Sequence, residues 1–548
     1  MLLIECSKIK KYFGDRMILE VEDLKVYSED RIGIVGVNGV GKTTLMNILS
    51  KRTEPDEGWI ELYSKYAYIT QLEDSKNRKI SSEMASKFGI PSIWNVNMSG
   101  GEKTRFKLAE SFDENSPIIF ADEPTSNVDM EGIELMEKMF DDYKGALLVI
   151  SHDRNFLDKL CNKIMEIEQG KIKIYNGNYS DYRMQKAKEK ERALFEYEQY
   201  IKEKKRLEAA MEATREKVKT MRKTPKRMGN SEARLHKMGN QKAKANLDRA
   251  VKSIESRVMH LEVKERPKEP EGIKLEVTAS NKLYSKIIIE GDNIHKAFDR
   301  KMIFRDASFS IYNGSKVALI GPNGCGKSTL VKMIMELDDR IKIARGAKIG
   351  YFTQDMRILN ENKSIIENVM ESSIYAETFA RILLARLLFK REDILKKVGI
   401  LSGGERVKVS FAKILLQDFN LLILDEPTNY MDIDALEVVE EALREYDRTL
   451  LFVSHDRRFV SAIADHIMTI ENQQIKMFEG TYEEYLEKRN RSVDQGRGDI
   501  EKQVFLLENR LSEVLGKLSM SSKKDDPAAL DKEYHEILER LKDLKANL

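Results

Sequence analysis

The stretch "GVNGVGKTTL", residues 36–45, returns almost unchanged as "GPNGCGKSTL" at residues 321–330. Each copy continues a short apolar run, "RIGIVG" or "KVALIG", and is followed by a helical pattern. Glycines at this spacing let backbone N–H groups curl around phosphate oxygens, and the Lys after them neutralises the phosphates. The two stretches therefore predict two nucleotide-binding domains of α/β fold within one chain.

Further motifs follow each glycine-rich loop in the same order, which indicates a duplicated ATPase. The first copy has "ITQ", "MSGGEK", "FADEPTSNVD" and "VISHDRNF", and the second has "FTQ", "LSGGER", "ILDEPTNYMD" and "FVSHDRRF". One loop could match by chance, but a shared order of five motifs could not. The interval from Gln71 to Ser99 is about 20 residues shorter than that from Gln354 to Ser402, so the first copy is trimmed there.

Apolar runs such as "PIIFAD" and "LLILDE" alternate with amphipathic stretches in both copies, which predicts parallel sheets covered by helices. We expect ATP-binding domains at residues 1–183 and 271–490, an interdomain helical hairpin at 184–270 and a C-terminal helical extension at 491–548. Three scattered cysteines argue against a disulfide framework or a zinc module. No apolar run reaches the ~18–20 residues that span a bilayer, and no signal peptide is evident.

The segment between the copies has a helical pattern without strands. Apolar residues recur at spacings of four and three on two helices, at Leu207, Met211, Thr214, Val218 and Met221 and at Leu247, Val251, Ile254, Val258 and Leu261. Pro225 and Gly229 interrupt the repeat between them. The pattern predicts an antiparallel hairpin whose tip lies near residues 222–244.

The predicted tip is strongly basic. From Arg215 to Lys252 the chain has thirteen Lys and Arg residues against three acidic ones, whereas the whole chain has a net charge of only +2. A charge run is usually a solvated face, but a one-sided run at the end of a hairpin on an otherwise acidic protein favours nucleic acid. No aromatic residue lies between Tyr200 and Tyr284, so we expect phosphate contacts rather than base stacking.

The predicted RNA-binding residues are Arg222, Lys223, Lys226, Arg227, Arg234 and Lys237. Four bulky residues either reach into a partner's pocket or pack within the hairpin, namely Met228, Leu235, His236 and Met238.

The motif residues match the needs of phosphoryl transfer, which are positioning and charge neutralisation. The loops supply Gly36, Asn38, Gly39, Gly41, Lys42, Thr43 and Thr44, and Gly321, Asn323, Gly324, Gly326, Lys327, Ser328 and Thr329. The predicted Mg²⁺ ligands, some through water, are Thr43, Gln71, Asp122, Ser328, Gln354 and Asp425. The catalytic candidates are Glu123 and Glu426 for the attacking water, with His152, His455, Gln71 and Gln354 around the γ-phosphate. A lone His at a strand end is more often structural, and only the repeated order favours a catalytic role.

The "SGGE" elements, Ser99-Gly100-Gly101-Glu102 and Ser402-Gly403-Gly404-Glu405, resemble the signature of the ATP-binding cassette superfamily. The resemblance implies two tandem P-loop ATP-binding cassettes that close head to tail, with ATP and Mg²⁺ as cofactors. Site one would join Lys42, Asp122 and Glu123 to Ser402, and site two would join Lys327, Asp425 and Glu426 to Ser99. Phe13 and Phe298 match the aromatic residue that stacks on adenine, with Tyr12 as a competitor in the first copy.

Two fused cassettes separated by a charged hairpin are similar to the ABC-F family of translation-associated ATPases. The resemblance implies a cytoplasmic monomer, without membrane or DNA partners, that binds the 70S ribosome at its exit-tRNA site. Its partners there would be the 50S subunit, 23S rRNA and the P-site tRNA. The trimmed first copy leaves little room for an arm insertion, which is typical of the antibiotic-resistance branch in Gram-positive bacteria.

Other assignments stay open. A housekeeping ABC-F translation factor would have the same motifs. A transporter ATPase subunit would leave the hairpin unexplained, and DNA-repair cassettes typically carry very long coiled coils or zinc-binding cysteines. The "DEPT" motifs continue as Ser126-Asn127-Val128 and Asn429-Tyr430-Met431 where relatives commonly have Asn-His-Leu, which leaves equal hydrolysis rates at the two sites open.

Overall fold

The structure is a computed structural model that describes residues 1–70, 79–95, 98, 100–114, 116–126, 128–220, 230–266, 283, 285–298, 301–353, 358–429, 431–491 and separate positions between 506 and 542. The chain forms two compact units. Unit 1 comprises residues 1–84, 107–124 and 137–272, and unit 2 comprises residues 85–106, 125–136 and 273–548. The domain boundaries expected at 183, 270 and 490 stay predictions.

The described residues of the first copy form nine strands and five helices before the linker. The strands are β1 (Leu2–Phe13), β2 (Arg16–Tyr27), β3 (Arg31–Val35), β4 (Glu57–Leu62), β5 (Tyr66–Ile69), β6 (Ile118–Asp122), β7 (Ala146–Ile150), β8 (Lys163–Glu168) and β9 (Lys171–Asn176) in the described residues. The helices there are α1 (Lys42–Leu49), α2 (Ser82–Phe88), α3 (Gly100–Asp113), α4 (Met130–Asp142) and α5 (Arg154–Leu160). The sheet order is β4-β1-β2-β9-β8-β3-β7-β6-β5.

The centre of this sheet is parallel, as predicted: β3 pairs with β7 and β8, and β6 with β5 and β7. All side chains of β6 and β7 are buried, which explains their continuous apolar sequences. The sequence reasoning missed the antiparallel side, where β1 pairs with β2 and β4. These strands mix buried and exposed positions, so no apolar run marked them.

The linker begins as α6 (Tyr179–Thr220) and returns as α7 (Asn230–His260). Ion pairs join Arg215 to Glu255 and Lys264 to Glu196, and only antiparallel helices bring both pairs together. Leu207 and Val251 are buried, and the other described seam residues are half-buried, which agrees with the predicted seam. Residues 221–229 lie outside the described residues, so the turn and the tip residues within it, including Met228, stay predictions. The tip candidates from Arg234 to Met238 lie within α7.

The second copy repeats the arrangement, with its described strands in two sheets. Its strands among the described residues are β10 (Ile287–Phe298), β11 (Lys301–Tyr312), β12 (Lys316–Ile320), β13 (Ile341–Ile343), β14 (Ile349–Phe352), β15 (Leu421–Asp425), β16 (Thr449–Val453), β17 (His466–Glu471) and β18 (Gln474–Glu479). The helices are α8 (Lys327–Met335), α9 (Ile365–Met370), α10 (Glu377–Arg386), α11 (Gly403–Leu415), α12 (Ile433–Glu445) and α13 (Arg457–Ile463), with 3₁₀ turns at Asp393–Leu395 and Val398–Ile400. The sheet orders are β11-β10-β13 and β14-β15-β16-β12-β17-β18, the latter parallel except for β17–β18.

The C-terminal extension is described only at separate positions. Helical residues there include Val514, Ile537 and Leu541, which are buried against one another, with Leu511 and Tyr534 packed beside them. This small apolar cluster agrees with the predicted pair of amphipathic helices. Within the described ranges, no helix has the length and apolar character that a bilayer crossing requires.

Candidate active sites

The glycine-rich loop of the first copy connects β3 to α1 and needs glycine at three positions. The φ angles of Gly36, Gly39 and Gly41 are 147°, 77° and 109°, in a region that L side chains rarely adopt. A Cβ atom at Gly36 would lie 2.6 Å from the carbonyl oxygen of Ile167, whereas one at Gly39 would meet nothing within 4 Å. The matching angles at Gly321, Gly324 and Gly326 are 149°, 75° and 117°, so both loops follow the same path.

A buried Lys lies inside each loop. The Nζ atom of Lys42 donates to the carbonyl oxygens of Gly36 at 2.7 Å and Val37 at 3.3 Å. The Nζ atom of Lys327 donates likewise to Gly321 at 2.7 Å and Pro322 at 3.1 Å. Each Lys is also the first residue of its helix, so its ammonium group lies beside the helix N-terminus. A cation and the first N–H groups of a helix together fit the phosphates of a nucleotide.

The predicted metal ligands that the structure describes are Asp122 and Asp425, at the ends of β6 and β15, and Thr43 and Ser328, in the first turns of α1 and α8. The hydroxyl of Thr43 is bonded to the carboxyl of Asp122, and burial raises the pKa of Asp122 above its usual value. Burial raises the pKa of Asp425 too, although the charge of Lys327 opposes the shift. Hydroxyl and carboxylate oxygens are the donors that Mg²⁺ prefers, so these residues fit that ion. Gln71 and Gln354 lie outside the described residues.

The two candidate catalytic glutamates share an unusual backbone conformation. Glu123 and Glu426 have φ angles of 50° and 49°, which are left-handed values. Their backbone N–H groups donate to the carbonyl oxygens of Ile150 at 2.9 Å and Val453 at 3.0 Å, one step beyond β6 and β15. A non-glycine residue held this way costs of order 1–3 kcal/mol, and such strain clusters at functional sites.

A His faces each glutamate. The Nε2 atom of His152 lies 3.2 Å from Oε1 of Glu123, and the Nε2 atom of His455 lies 3.3 Å from Oε1 of Glu426. Burial raises the pKa of Glu123 to about 8 and that of Glu426 to about 7. Burial also lowers the pKa of His455 to about 4, so its ring is neutral at pH 7. Each pair therefore places a carboxyl whose pKa is raised toward neutral beside a His, a combination suited to accepting a proton from water.

The second signature motif begins α11 with a capping box. The Oγ atom of Ser402 accepts from the N–H of Glu405, whose Oε2 atom accepts from the backbone N–H of Ser402 at 2.9 Å. A Cβ atom at Gly403 would meet nothing within 4 Å, so the backbone there is open to approach. Gly100 and Gly101 begin α3 in the first copy, and Ser99 lies outside the described residues. The pairing of Ser402 with the first loop stays a prediction.

Sequence reasoning missed Asp129 and Asp432, each of which lies four residues after the Thr of its "DEPT" motif. In unit 2, Oδ2 of Asp129 accepts from the backbone N–H of Asn323 at 2.9 Å, and its Oδ1 accepts from that of Gly132 at 3.0 Å. The matching Asp432 instead accepts from Nζ of the buried Lys408 at 2.7 Å. The recurrence of Asp at the end of both motifs was the available signal. Asp129 thus ties the segment after the first "DEPT" motif to the second glycine-rich loop.

Exposed aromatic rings lie at the ends of β1 and β10. The exposed fractions of Phe13 and Phe298 are 59% and 54%, which suits the predicted stacking on adenine. Tyr12 is instead engaged by neighbours: its N–H donates to Asp56 at 2.6 Å and its hydroxyl donates to Glu57 at 3.4 Å. The geometry therefore favours Phe13 over Tyr12 for this role.

Comparison with known proteins agrees with this geometry. The family described as ABC transporter matches residues 19–88 and 304–429. Ribosome protection protein VmlR of Bacillus subtilis (strain 168) is 30% identical over 99% of this chain and 98% of its own length. The chain belongs to the ABC-F family of ATP-binding cassette proteins. Erythromycin resistance ATP-binding protein MsrA of Staphylococcus epidermidis is 32% identical over 86% of this chain and 98% of its own length.

A solved structure shows the same fold at lower identity. The archaeal ribosome recycling factor aABCE1, in complex with the ribosomal stalk protein aP1, matches with a TM-score of 0.59 and 19% identity, and the match covers 89% of this chain and 92% of that one. The membership in the ABC-F family makes the chain an ABC-type ATPase whose cassettes bind ATP.

Proposed function

We propose that the chain is a ribosome-binding ATPase that protects the large ribosomal subunit from antibiotics. The linker carries the proposal, because thirteen Lys and Arg residues against three acidic ones lie from Arg215 to Lys252, where α6 ends and α7 begins. A one-sided concentration of cations is what RNA phosphates attract. The names of the two relatives, which refer to ribosome protection and to erythromycin resistance, support the same reading.

In this proposal the ATP-bound chain enters the exit-tRNA site of the 70S ribosome in the cytoplasm, beside the P-site tRNA, as a monomer whose two cassettes close on each other. The linker tip extends along 23S rRNA of the 50S subunit toward the peptidyl-transferase centre, held by Arg222, Lys223, Lys226, Arg227, Arg234 and Lys237. Met228, Leu235, His236 and Met238 lie nearest the drug. The drugs displaced are lincosamides, pleuromutilins, streptogramins A or phenicols, and hydrolysis releases the chain.

The ATP sites act through the residues that each copy repeats. Lys42 and Lys327 hold the outer phosphates, and Thr43 and Ser328 with the two strand-end carboxylates hold Mg²⁺, partly through water. Mg²⁺ supplies charge neutralisation at the phosphates. Glu123 and Glu426 orient and polarise the attacking water, and His152 and His455 fix the position of each carboxyl. Substitutions of both glutamates that slow ATP hydrolysis should therefore keep the chain in its ATP-bound form.

Co-sedimentation tests the ribosomal part of the proposal. With ATP, the double variant Glu123→Gln/Glu426→Gln should pellet with 70S ribosomes, because it binds ATP but does not leave the closed form. A Lys42→Ala/Lys327→Ala variant is the control, since it lacks the phosphate contacts and should stay in the supernatant. If the Gln double variant stayed free of ribosomes and bound DNA or membranes instead, the proposal would be wrong.

Drug susceptibility separates protection from a housekeeping role. Expression in a susceptible host that lacks its own resistance gene should raise the inhibitory concentration of at least one large-subunit drug. Deletion of residues 222–244 should abolish that increase while basal ATPase activity remains, because the cassettes are untouched. A chain that shifted no inhibitory concentration would be a housekeeping translation factor.

A further inference from the structure

A buried carboxylate that plays no part in the ATP chemistry lies where the linker leaves the first sheet. Glu166 in β8 is 5% exposed. Its Oε1 atom accepts from the hydroxyl of Tyr182 at 2.8 Å, its Oε2 atom accepts from the hydroxyl of Tyr175 at 3.2 Å, and the ammonium group of Lys186 pairs with it. Tyr182 and Lys186 belong to the first turns of α6. One side chain of the sheet is therefore bonded to the linker at two points.

The strand that carries this carboxylate also borders the first glycine-rich loop. Glu166 pairs in register with Val35, the last residue of β3 before the loop. The next residue, Ile167, has the carbonyl oxygen that a Cβ atom at Gly36 would approach to 2.6 Å. Side chains alternate along a strand, so Met165 and Ile167 enter the sheet's apolar core while Glu166 faces α6. The loop and Glu166 are thus joined through one strand.

A second path joins α6 to the candidate catalytic glutamate. His152 faces Glu123, and the following residue, Asp153, caps α5 by accepting from the N–H of Phe156 at 3.0 Å. Within α5, Oδ1 of Asp158 accepts from the N–H of Ser180 in α6 at 2.7 Å. The first turn of the linker is therefore bonded to the helix that follows the His of site one.

Further bonds fasten the next turns of α6 to β9. The side-chain amide of Gln185 donates to the carbonyl oxygen of Asn176 at 2.8 Å. Glu189 accepts from Nζ of Lys173 at 2.6 Å and shares the proton of the Tyr175 hydroxyl with Glu166, at 3.2 Å. Residues 179–189 of α6, which we call the linker root, are thus bonded to α5, β8 and β9.

The second copy lacks this arrangement at the matching positions. Thr469 stands where the first copy has Glu166, and Phe478 stands where it has Tyr175. Arg489, which matches Lys186, pairs with Glu131 at 2.8 Å. Tyr485 matches Tyr182, so the two copies differ in the buried carboxylate and in the Tyr175 hydroxyl, both of which belong to the first copy.

We propose that Glu166 is a positioning residue that makes the linker root and the phosphate-binding end of the first cassette move as one body. The conformation of the first glycine-rich loop then sets the direction of the linker, and the second copy has no equivalent control over it. The consequence for ribosome protection rests on the proposed function, whereas the mechanical coupling does not.

Distance measurements between spin labels test the coupling without ribosomes. The labels replace the exposed Glu22 in β2 and Lys205 in α6, in a Cys325→Ala background because Cys6 and Cys161 are buried. The parent should give a narrow distribution, and Glu166→Thr, which copies the second cassette, should give a broad one. Thr469→Val is the matched control and should leave the distribution narrow. An equally narrow distribution in Glu166→Thr overturns the proposal.

A double variant separates positioning from stability. Glu166→Thr should lower the melting temperature because it leaves the buried hydroxyl of Tyr182 without its acceptor, and Glu166→Thr/Tyr182→Phe should recover part of that loss because donor and acceptor are both gone. The proposal expects a broad distribution in both variants. If the recovered melting temperature brings back the narrow distribution, Glu166 is only structural and the proposal is wrong. Should Glu166→Thr not fold, Tyr182→Phe removes one donor hydroxyl and is judged by the same two outcomes.

The functional measurement uses the same variants. Basal ATPase activity of Glu166→Thr should stay within about twofold of the parent, while the increase in inhibitory concentration should fall at least about fivefold, the lower end of ordinary coupling between sites. Full protection by Glu166→Thr overturns the proposal. If the parent itself neither binds ribosomes nor protects, the proposed function has failed, and the label distances still decide the coupling.

Discussion

At the scale of single residues, the left-handed backbone conformation of the two glutamates shows that the candidate site lowers the stability of the fold. Glu123 and Glu426 hold φ angles of 50° and 49° in the same place of both copies. Glycine would adopt this conformation without the penalty of a Cβ atom, which is roughly 1–2 kcal/mol. The repeated choice of Glu indicates that function, rather than stability, determines the residue at the end of each strand.

Glu426→Gly should therefore be more stable than Glu426→Ala, by about 1 kcal/mol, although both variants lose hydrolysis at their site. Thermal unfolding of the nucleotide-free chain measures the difference. The same pair of substitutions at Lys188, an exposed residue inside α6, is the control and should show the opposite order by about 1 kcal/mol. Identical midpoints for the Gly and Ala variants of Glu426 would speak against strain at this residue.

The two Asp residues after the "DEPT" motifs should respond differently to the same substitution. Asp432→Ala leaves the ammonium of Lys408, 7% exposed, without its carboxylate, so the free energy of unfolding should fall by about 3–5 kcal/mol. Asp129→Ala removes acceptors for two backbone N–H groups and should cost only about 1–3 kcal/mol. Urea denaturation measures both. A larger loss for Asp129→Ala would contradict the assigned partners.

Sequence alone could propose candidate site residues because the chemistry fixes their spacing within a motif. It could not find the contact between Asp129 and Asn323, which are 194 residues apart, or the bonds to Glu166. Glu166 lies in an unremarkable strand, and only the pairing of β8 with β3 places it beside the loop. Contacts that depend on three-dimensional packing leave no periodic signal.

At the scale of elements, α9 and α11 of the second copy both begin with a capping box. Ser364 caps α9 and Ser402 caps α11, each in a reciprocal bond with the Glu three residues later. The first serves only its helix, whereas the second belongs to a signature motif. Their shared geometry allows the structural contribution of a capping hydroxyl to be separated from a contribution to ATP hydrolysis.

Ser364→Ala and Ser402→Ala should each lower the free energy of unfolding by about 1 kcal/mol, the usual value of a helix N-cap. Only Ser402→Ala should also slow ATP hydrolysis, because its hydroxyl is predicted to face the γ-phosphate. Steady-state ATPase rates at saturating ATP measure this second effect. Equal rates for the two variants would remove Ser402 from the site.

The sequence predicted the strands whose side chains are completely buried. It did not predict the strands whose side chains are only partly buried. The strands β6 and β7 are apolar throughout because helices cover both faces, so their sequences predict them. The antiparallel strands β1 and β2 alternate between core and solvent and contain Lys and Glu residues. Their register comes from pairing with each other, which no single stretch of sequence reports.

At the scale of the whole molecule, the duplication predicted two cassettes and the charge distribution predicted a polyanionic partner. The binding of that partner should depend steeply on salt. Replacing Arg222, Lys223, Lys226 and Arg227 with Gln should lower the slope of log affinity against log salt by about three, at roughly 0.7–0.9 per lost phosphate contact. Ribosome binding by the Glu123→Gln/Glu426→Gln variant with ATP, measured across potassium chloride concentrations, gives the slope.

The control for this experiment neutralises four cations elsewhere on the linker. Lys188, Lys190, Arg192 and Lys205 are exposed on α6 among acidic neighbours, so their replacement with Gln should change the slope by less than about one. Equal changes for the two sets would mean that the tip has no special part in RNA binding.

Because α6 is long, a small rotation of the linker root produces a large displacement at the far end of the helix. Its 42 residues, at ~1.5 Å each, form a lever of roughly 63 Å that is bonded to the sheet over its first eleven residues. A rotation of only about 5° at the fastened end would carry the far end through about 5 Å, more than the ~4 Å that separates atoms in contact. Sub-ångström rearrangements around a phosphate would thus be amplified into a displacement the size of a side chain.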